Sequence, residues 1–116
     1  MEYLKRTEVF PQAVEYEESV LSSCFRDDAG EIVDLLEPGD FYRTAHAKIF
    51  RAITELHKAG VDINLVSVVD KLTDSKCLTE CGGASYLASL LDVPIATNIK
   101  HFCSKIRDKS IQRDLI

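Results

Sequence analysis

Most of the features that announce catalysis or membrane insertion are missing from this sequence. No apolar run approaches the roughly 18 residues a membrane-spanning helix needs. The opening MEYLKRTEVFPQ has neither an apolar h-region nor a small-residue cleavage site, so no secretory signal is read. A cytoplasmic protein without a membrane partner is the expectation. There is no GxxxxGKS/T phosphate loop, no GxGxxG after a strand, and no HExxH. No serine sits in a nucleophile elbow, and no spacing recommends a Cys/His/acid set. These absences exclude the common hydrolase, dinucleotide and metalloprotease sites, and neither catalytic residues nor a cofactor are expected within these 116 residues.

Cysteine is present four times but in no familiar pattern. Cys24 and Cys103 stand among apolar residues and read as small buried hydrophobes. Cys77 and Cys81, in CLTEC, have three residues between them rather than the two of common zinc and redox motifs. With His101 and Cys103 they make four ligands on paper, but soft-ligand sites favour two tight pairs. No metal site is therefore expected.

Net charge is −5, unevenly spread. Residues 97–116 carry Lys100, Lys105, Arg107, Lys109 and Arg113 against Asp108 and Asp114, so the remainder is at −8. An acidic body argues against autonomous DNA binding, which depends on neutralising phosphates. The basic segment reads either as a solvated helix face or as a partner face.

What is present is helical periodicity, punctuated by proline and glycine. After Pro11, QAVEYEESVLSSCF places Glu15, Glu17 and Glu18 in early turns, where they suit the positive end of a helix dipole. Val20, Leu21, Cys24 and Phe25 then line one side. A short helix fits GEIVDLLE. In GDFYRTAHAKIFRAITELHKAG, Ala45, Ile49, Ala52, Ile53 and Leu56 form a core stripe, and Gly60 suits the position after the helix end. Phe41, Tyr42, His46, Ile49, Phe50, Ile53 and Leu87 are predicted as structural core, with His46 a packing or capping histidine. NLVSVVDKL is locally strand-like, yet Leu65, Val68, Val69 and Leu72 fit a helix behind an Asn64 cap, and no second strand is available.

Two helices have more than one apolar face. After Gly82-Gly83, Ala84, Leu87, Ala88 and Leu91 make one stripe, with Tyr86 and Leu90 roughly 200–240° away on the wheel. That second face is covered either by a neighbouring segment of the same fold or by a partner. In NIKHFCSKIRDKSIQRDLI, Ile99, Phe102, Cys103 and Ile106 form a body-facing stripe, and Ile111 and Leu115 rotate off it by roughly 120–160°. The second half should reach past the body. The chain reads as cut inside a helix, the amino-terminal piece of a longer protein. The expected fold class is all-α, a bundle of about six helices whose last runs into a truncated helical hairpin. Residues 1–10 are expected to be a flexible segment, 11–96 a helical head, and 97–116 the helix entering the hairpin.

The ordered pieces PQAVEYEESVL, LEPGDFYRTAHAKIFRAITEL, VDINLVSVVDKL, CLTECGGASYLASL and VPIATNIKHFCSKIRDKSIQRDLI together resemble one family. It is the N-terminal domain of bacterial (DnaB-type) replicative DNA helicases. The resemblance rests on DFY-x3-H-x2-IF, the GG-x2-YL turn and the VP-x3-NI junction. Ser22 departs from it, where a glycine commonly follows the VL of the first helix. The resemblance implies a helical head that pairs and assembles as a trimer of dimers, forming the collar of a hexameric ring. It implies a RecA-like ATPase beyond residue 116, using ATP and Mg2+ to translocate on single-stranded DNA and unwind the replication fork. It also implies docking of the helicase-binding domain of primase and, in some systems, a helicase loader. The residues it implies for partner or sister-protomer contact are Glu15, Tyr86, Leu90, Ile111, Leu115 and Ile116. A stand-alone replication adaptor of phage or plasmid type, without an ATPase, is the alternative.

Overall fold

The computed structural model describes residues 13–115. The expectations for the flexible residues 1–10 and for Ile116 fall outside them. The described residues form six α-helices and no strand: α1 (Val14–Ser23), α2 (Ala29–Leu35), α3 (Thr44–Lys58), α4 (Leu65–Asp74), α5 (Gly83–Leu90) and α6 (Ile99–Asp114). Single 3-10 turns at Pro38–Asp40 and Thr79–Cys81 join α2 to α3 and α4 to α5.

Local chemistry fixes the ends. Asn64 caps α4 by accepting from the Ser67 amide at 2.9 Å, while Ser67 Oγ accepts from the Asn64 amide at 3.0 Å. This reciprocal box settles the strand-like NLVSVVDKL as a helix. The α3 helix stops at Gly60, whose φ of +74° turns the chain so that the Val61 amide reaches Leu56 O and the Gly60 amide reaches His57 O. Lys76 ends α4 with the same pair of bonds at a φ of +61°, although it has a Cβ. The first helix is shorter than its apolar pattern, because the chain bends over Cys24–Asp28, where Asp27 has a φ of +79°.

The core gathers Val20 and Leu21 from α1, Ile32 from α2, Ile49, Phe50 and Ile53 from α3, Leu72 from α4 and Ile106 from α6. Phe41 stacks at a tilt on Phe50, with ring centroids 4.9 Å apart. Removing each such side chain from water stabilises the fold by about 1.5–3 kcal/mol. Central in this arrangement is α3, which touches α1, α2, α4 and both 3-10 turns.

Three expectations need correcting. In α5 the buried face is Leu87 and Leu90 with Tyr86 half-buried, whereas Ala84 and Ala88 are exposed. The helix is therefore rotated by about 100° from the predicted stripe. Its apolar residues run nearly all round, and the larger leucines and tyrosine gain more from burial than the alanines do. Tyr42 is 44% exposed rather than core, its ring covered on one side by the Arg113 guanidinium at 5.3 Å. Finally, the second half of α6 stays on the body. Ser110 is buried there, and Arg113 Nη2 donates to Asp40 O at 2.9 Å. Those contacts are polar, so an apolar stripe does not reveal them.

Candidate interaction surface

The seam between α1, the start of α3, and α5 holds a chain of polar groups. Glu17 lies on the stripe of α1 that also carries Val20, Leu21 and Cys24, so it points inward and is fully buried. Its Oε2 accepts from the Tyr42 amide at 2.6 Å, and its Oε1 lies 3.5 Å from the Arg43 amide. These amides lead into α3, which has no side-chain cap of its own. A carboxylate from a neighbouring helix thus sits at the positive end of α3. Glu17 Oε1 also meets His46 Nδ1 at 2.7 Å. Both backbone contacts on Glu17 call for an acceptor, and with His46 Nδ1 donating as well the carboxylate accepts at both oxygens.

The chain continues outward. His46 Nε2 is 2.6 Å from Tyr86 Oη, and the two rings stack with 6.0 Å between centroids. Tyr86 Oη lies 3.2 Å from Glu18 Oε2 at the half-exposed edge of α1. Burial, reinforced by the Glu18 carboxylate, pushes the Tyr86 phenol up to about 12. Tyr86 therefore keeps its proton and directs it to either His46 or Glu18. No buried side-chain polar atom among the described residues lacks a partner. That is what makes a buried ionised group tolerable.

Close packing locates Tyr86. Gly82 precedes α5 at a φ of +93°, and a Cβ placed there would sit 2.7 Å from Tyr86 Cβ. One turn further along α1, Ser22 Oγ donates to Val93 O at 2.8 Å, and Ser23 Oγ accepts from the Ala96 amide at 2.9 Å. Arg26 Nη2 adds a bond to Leu91 O at 3.0 Å. The connection from α5 to α6 is held against α1 by these contacts. Ser22 is fully buried, and its hydroxyl has a specific role that a glycine lacks.

The candidate residues consequently separate. Glu15 is exposed on the first turn of α1, one turn before Glu18, which contacts Tyr86. Ile111 on α6 and Leu115 just past its end lie one turn apart, 50% and 82% exposed. Leu90 is 1% exposed and belongs to the core, so it offers nothing to a partner. Tyr86 is covered by a neighbouring segment of its own fold and presents only an edge. Glu17 and Glu18 were missed as network members, since acids early in a helix are ordinarily read as dipole partners. The signal for Glu17 was its place on the Val20-Leu21-Cys24 stripe.

Among the described residues no group of three His, Cys, Asp or Glu side chains is placed to hold a metal. No described helix is long and apolar enough to cross a membrane. Cys24, Cys81 and Cys103 are buried and unbridged. Burial, with Cys103 nearby, pushes the Cys24 thiol well up, and burial followed by the Glu31 charge raises Cys103 to about 11.

Known proteins of similar sequence and fold identify the family. The DnaB-like helicase N terminal domain family matches residues 9–108. The chain is 41% identical over 109 residues to the replicative DNA helicase DnaB of Geobacillus stearothermophilus, covering 91% of this chain and 24% of that helicase. It is 38% identical over 109 residues to the replicative DNA helicase DnaC of Bacillus subtilis, with the same coverage of each. The chain thus spans about a quarter of the length of these relatives. Among solved structures, the N-terminal domain of DnaB helicase from Mycobacterium tuberculosis superposes with a TM-score of 0.84 at 34% identity, over 91% of this chain and 79% of that one. The corresponding domain from Helicobacter pylori, described together with its interactions with primase, gives 0.77 at 25% identity over 99% and 89%. The described residues fold as these domains do, and the chain belongs to the DnaB-like helicase N-terminal domain family.

Proposed function

We propose that this chain is a non-catalytic collar and docking domain of a ring-shaped replicative DNA helicase. Its heads pair, the pairs close into a hexamer, and the collar recruits the helicase-binding domain of primase and, where one exists, a loader. ATP and Mg2+ serve a separate RecA-like motor, which unwinds DNA while single-stranded DNA threads the ring. This chain has no phosphate loop to hold a nucleotide and an acidic body poorly suited to bind DNA by itself. The H. pylori domain's described interaction with primase supports the docking role.

The observation that carries the reading is on α6. Its first half is committed to the body through Cys103 and Ile106, while Ile111 and Leu115 stand out of the surface one turn apart. Two large apolar side chains at i and i+4 form a stripe suited to a neighbouring helix. Assigning that stripe to protomer pairing and the Glu15 edge to primase gives each face one role. In the full-length helicase, the Ile111→Ser/Leu115→Ser pair should shift sedimentation away from the hexamer, with helical circular dichroism retained. A hexamer population equal to wild type removes α6 from the pairing role.

A further inference from the structure

The connection between α4 and α5 carries chemistry that a docking role does not use. Cys77 and Cys81 stand one helical turn apart, with the Cys81 amide bonded to Cys77 O at 3.2 Å. Burial, followed by the neighbouring Cys77 sulfur, pushes the Cys81 thiol up to about 11. Cys81 is completely buried, whereas Cys77 is partly exposed. Cys77 also lines a surface cleft of about 370 Å³, with Lys48, Arg51 and Lys76 around it and Glu55 and Glu80 opposing them. Lys48 pairs with Glu80 and feels both sulfurs. The thiol reachable from solvent thus opens on a cleft with an excess of cations, and its neighbour stands behind it.

We propose that Cys77 and Cys81 form a thiol-disulfide modification site that takes small anionic disulfides of the glutathione class. Cys77 meets the reagent and Cys81 resolves the product. The Cys77 thiolate attacks one sulfur of the small disulfide. The reagent's S–S bond breaks, a mixed disulfide forms on Cys77, and one thiolate leaves and takes up a proton. Cys81 then attacks Cys77 Sγ, its proton passing to the small thiolate that departs. The mixed bond breaks, the Cys77–Cys81 bond forms, and a second small thiolate leaves. Two protein thiols are oxidised and one small disulfide is reduced to two thiols.

Reach is compatible with this step. One turn of helix separates Cα atoms by about 6 Å, inside the roughly 4.4–6.8 Å that a disulfide spans. The Cβ atoms of such a pair start about 5–6 Å apart, so the turn must tighten for the bond to close. It is bounded by Lys76 and Gly82, both at positive φ. A disulfide closed against such resistance is of the readily reduced kind. Cys24 and Cys103 provide an internal control, because both are buried and an external reagent reaches neither.

The experiment is incubation of the folded chain with oxidised glutathione, followed by digestion and mass spectrometry without reduction. The peptide holding Cys77 and Cys81 should become lighter by about 2 Da, the loss of two hydrogens. Cys24 and Cys103 should remain as thiols, and dithiothreitol should reverse the change. Cys81→Ser should stop at a glutathione adduct on Cys77, and Cys77→Ser, a change at a partly exposed position, should show neither product. Cystamine, a cationic disulfide, should react several-fold more slowly at low salt, and salt should narrow the difference. An unmodified 77–81 peptide, oxidation confined to Cys24 and Cys103, or full oxidation of Cys77→Ser overturns the proposal. Faster reaction with cystamine overturns the anionic preference that is part of it.

Discussion

Removing the carboxylate of Glu17 should be among the most damaging polar substitutions in this domain. In Glu17→Ala the Tyr42 amide and His46 Nδ1, now bonded at 2.6 and 2.7 Å, both lose their acceptor. Each buried donor left unsatisfied costs about 1–3 kcal/mol. The lost methylenes leave a void as well, while the relieved desolvation of a charge acts in the opposite direction. Hydrogen bonds to a charged group contribute about 1.5–3 kcal/mol each, and with two of them lost about 3–5 kcal/mol is the expectation here. It is a large share of the roughly 5–15 kcal/mol that holds a domain together. Glu17→Gln should behave differently, because the network can change hands. Gln Oε1 accepts from the Tyr42 amide and its NH2 donates to His46 Nδ1. The imidazole proton moves to Nε2 and donates to Tyr86 Oη, which turns its own proton to Glu18 Oε2, 3.2 Å away. The expected cost is about 1 kcal/mol. Urea unfolding followed by helical circular dichroism measures both variants. Glu17→Ala within 1 kcal/mol of wild type, or Gln as damaging as Ala, would refute the reasoning.

Ile49 is completely buried on α3, and Ile49→Ala should cost about 2–5 kcal/mol by the same unfolding assay; a smaller loss means the site collapses around the missing atoms. Tyr86 makes alkaline stability informative. Its folded value near 12 lies above the ordinary 10.0, so the folded state holds a proton that the unfolded state releases first. The sign follows: this contribution is intact below pH 10 and is lost as pH rises toward 12. Tyr86→Phe should flatten that part of the stability profile and remove a late tyrosinate absorbance component; an unchanged alkaline titration contradicts the burial described for the phenol.

The sequence displays the apolar architecture well and the polar architecture poorly, for a physical reason. Ile49, Ile53, Val68, Leu72, Cys103 and Ile106 recur at helical spacing, and burial at that spacing follows from the hydrophobic effect alone. Asn64 and Gly60 were legible because caps are local chemistry. The α5 face was not, since a helix of eight residues with apolar groups on most sides has its rotation set by its neighbours. Tyr42 was misread for a related reason, as its cover is a cation on a helix some seventy residues away. The network joining Glu17, His46, Tyr86 and Glu18 depends on three helices meeting, which no window of sequence contains. Its trace is an acid on one core stripe and a histidine on another, two buried polar residues that require partners. Of the surface, Ile111 and Leu115 were legible as apolar residues turned away from their helix's main stripe. Leu90 followed the misassigned rotation of α5.

The docking role proposed for this head is tested most directly by calorimetric titration with the helicase-binding domain of primase. Saturable binding is expected, weakened several-fold in Glu15→Lys, a substitution at an exposed position, with the unfolding midpoint unchanged. Binding that also weakens with added salt would fit a charged edge. No heat and no saturation with the folded wild-type domain would contradict the docking role, and full affinity in Glu15→Lys would contradict the edge assigned to it.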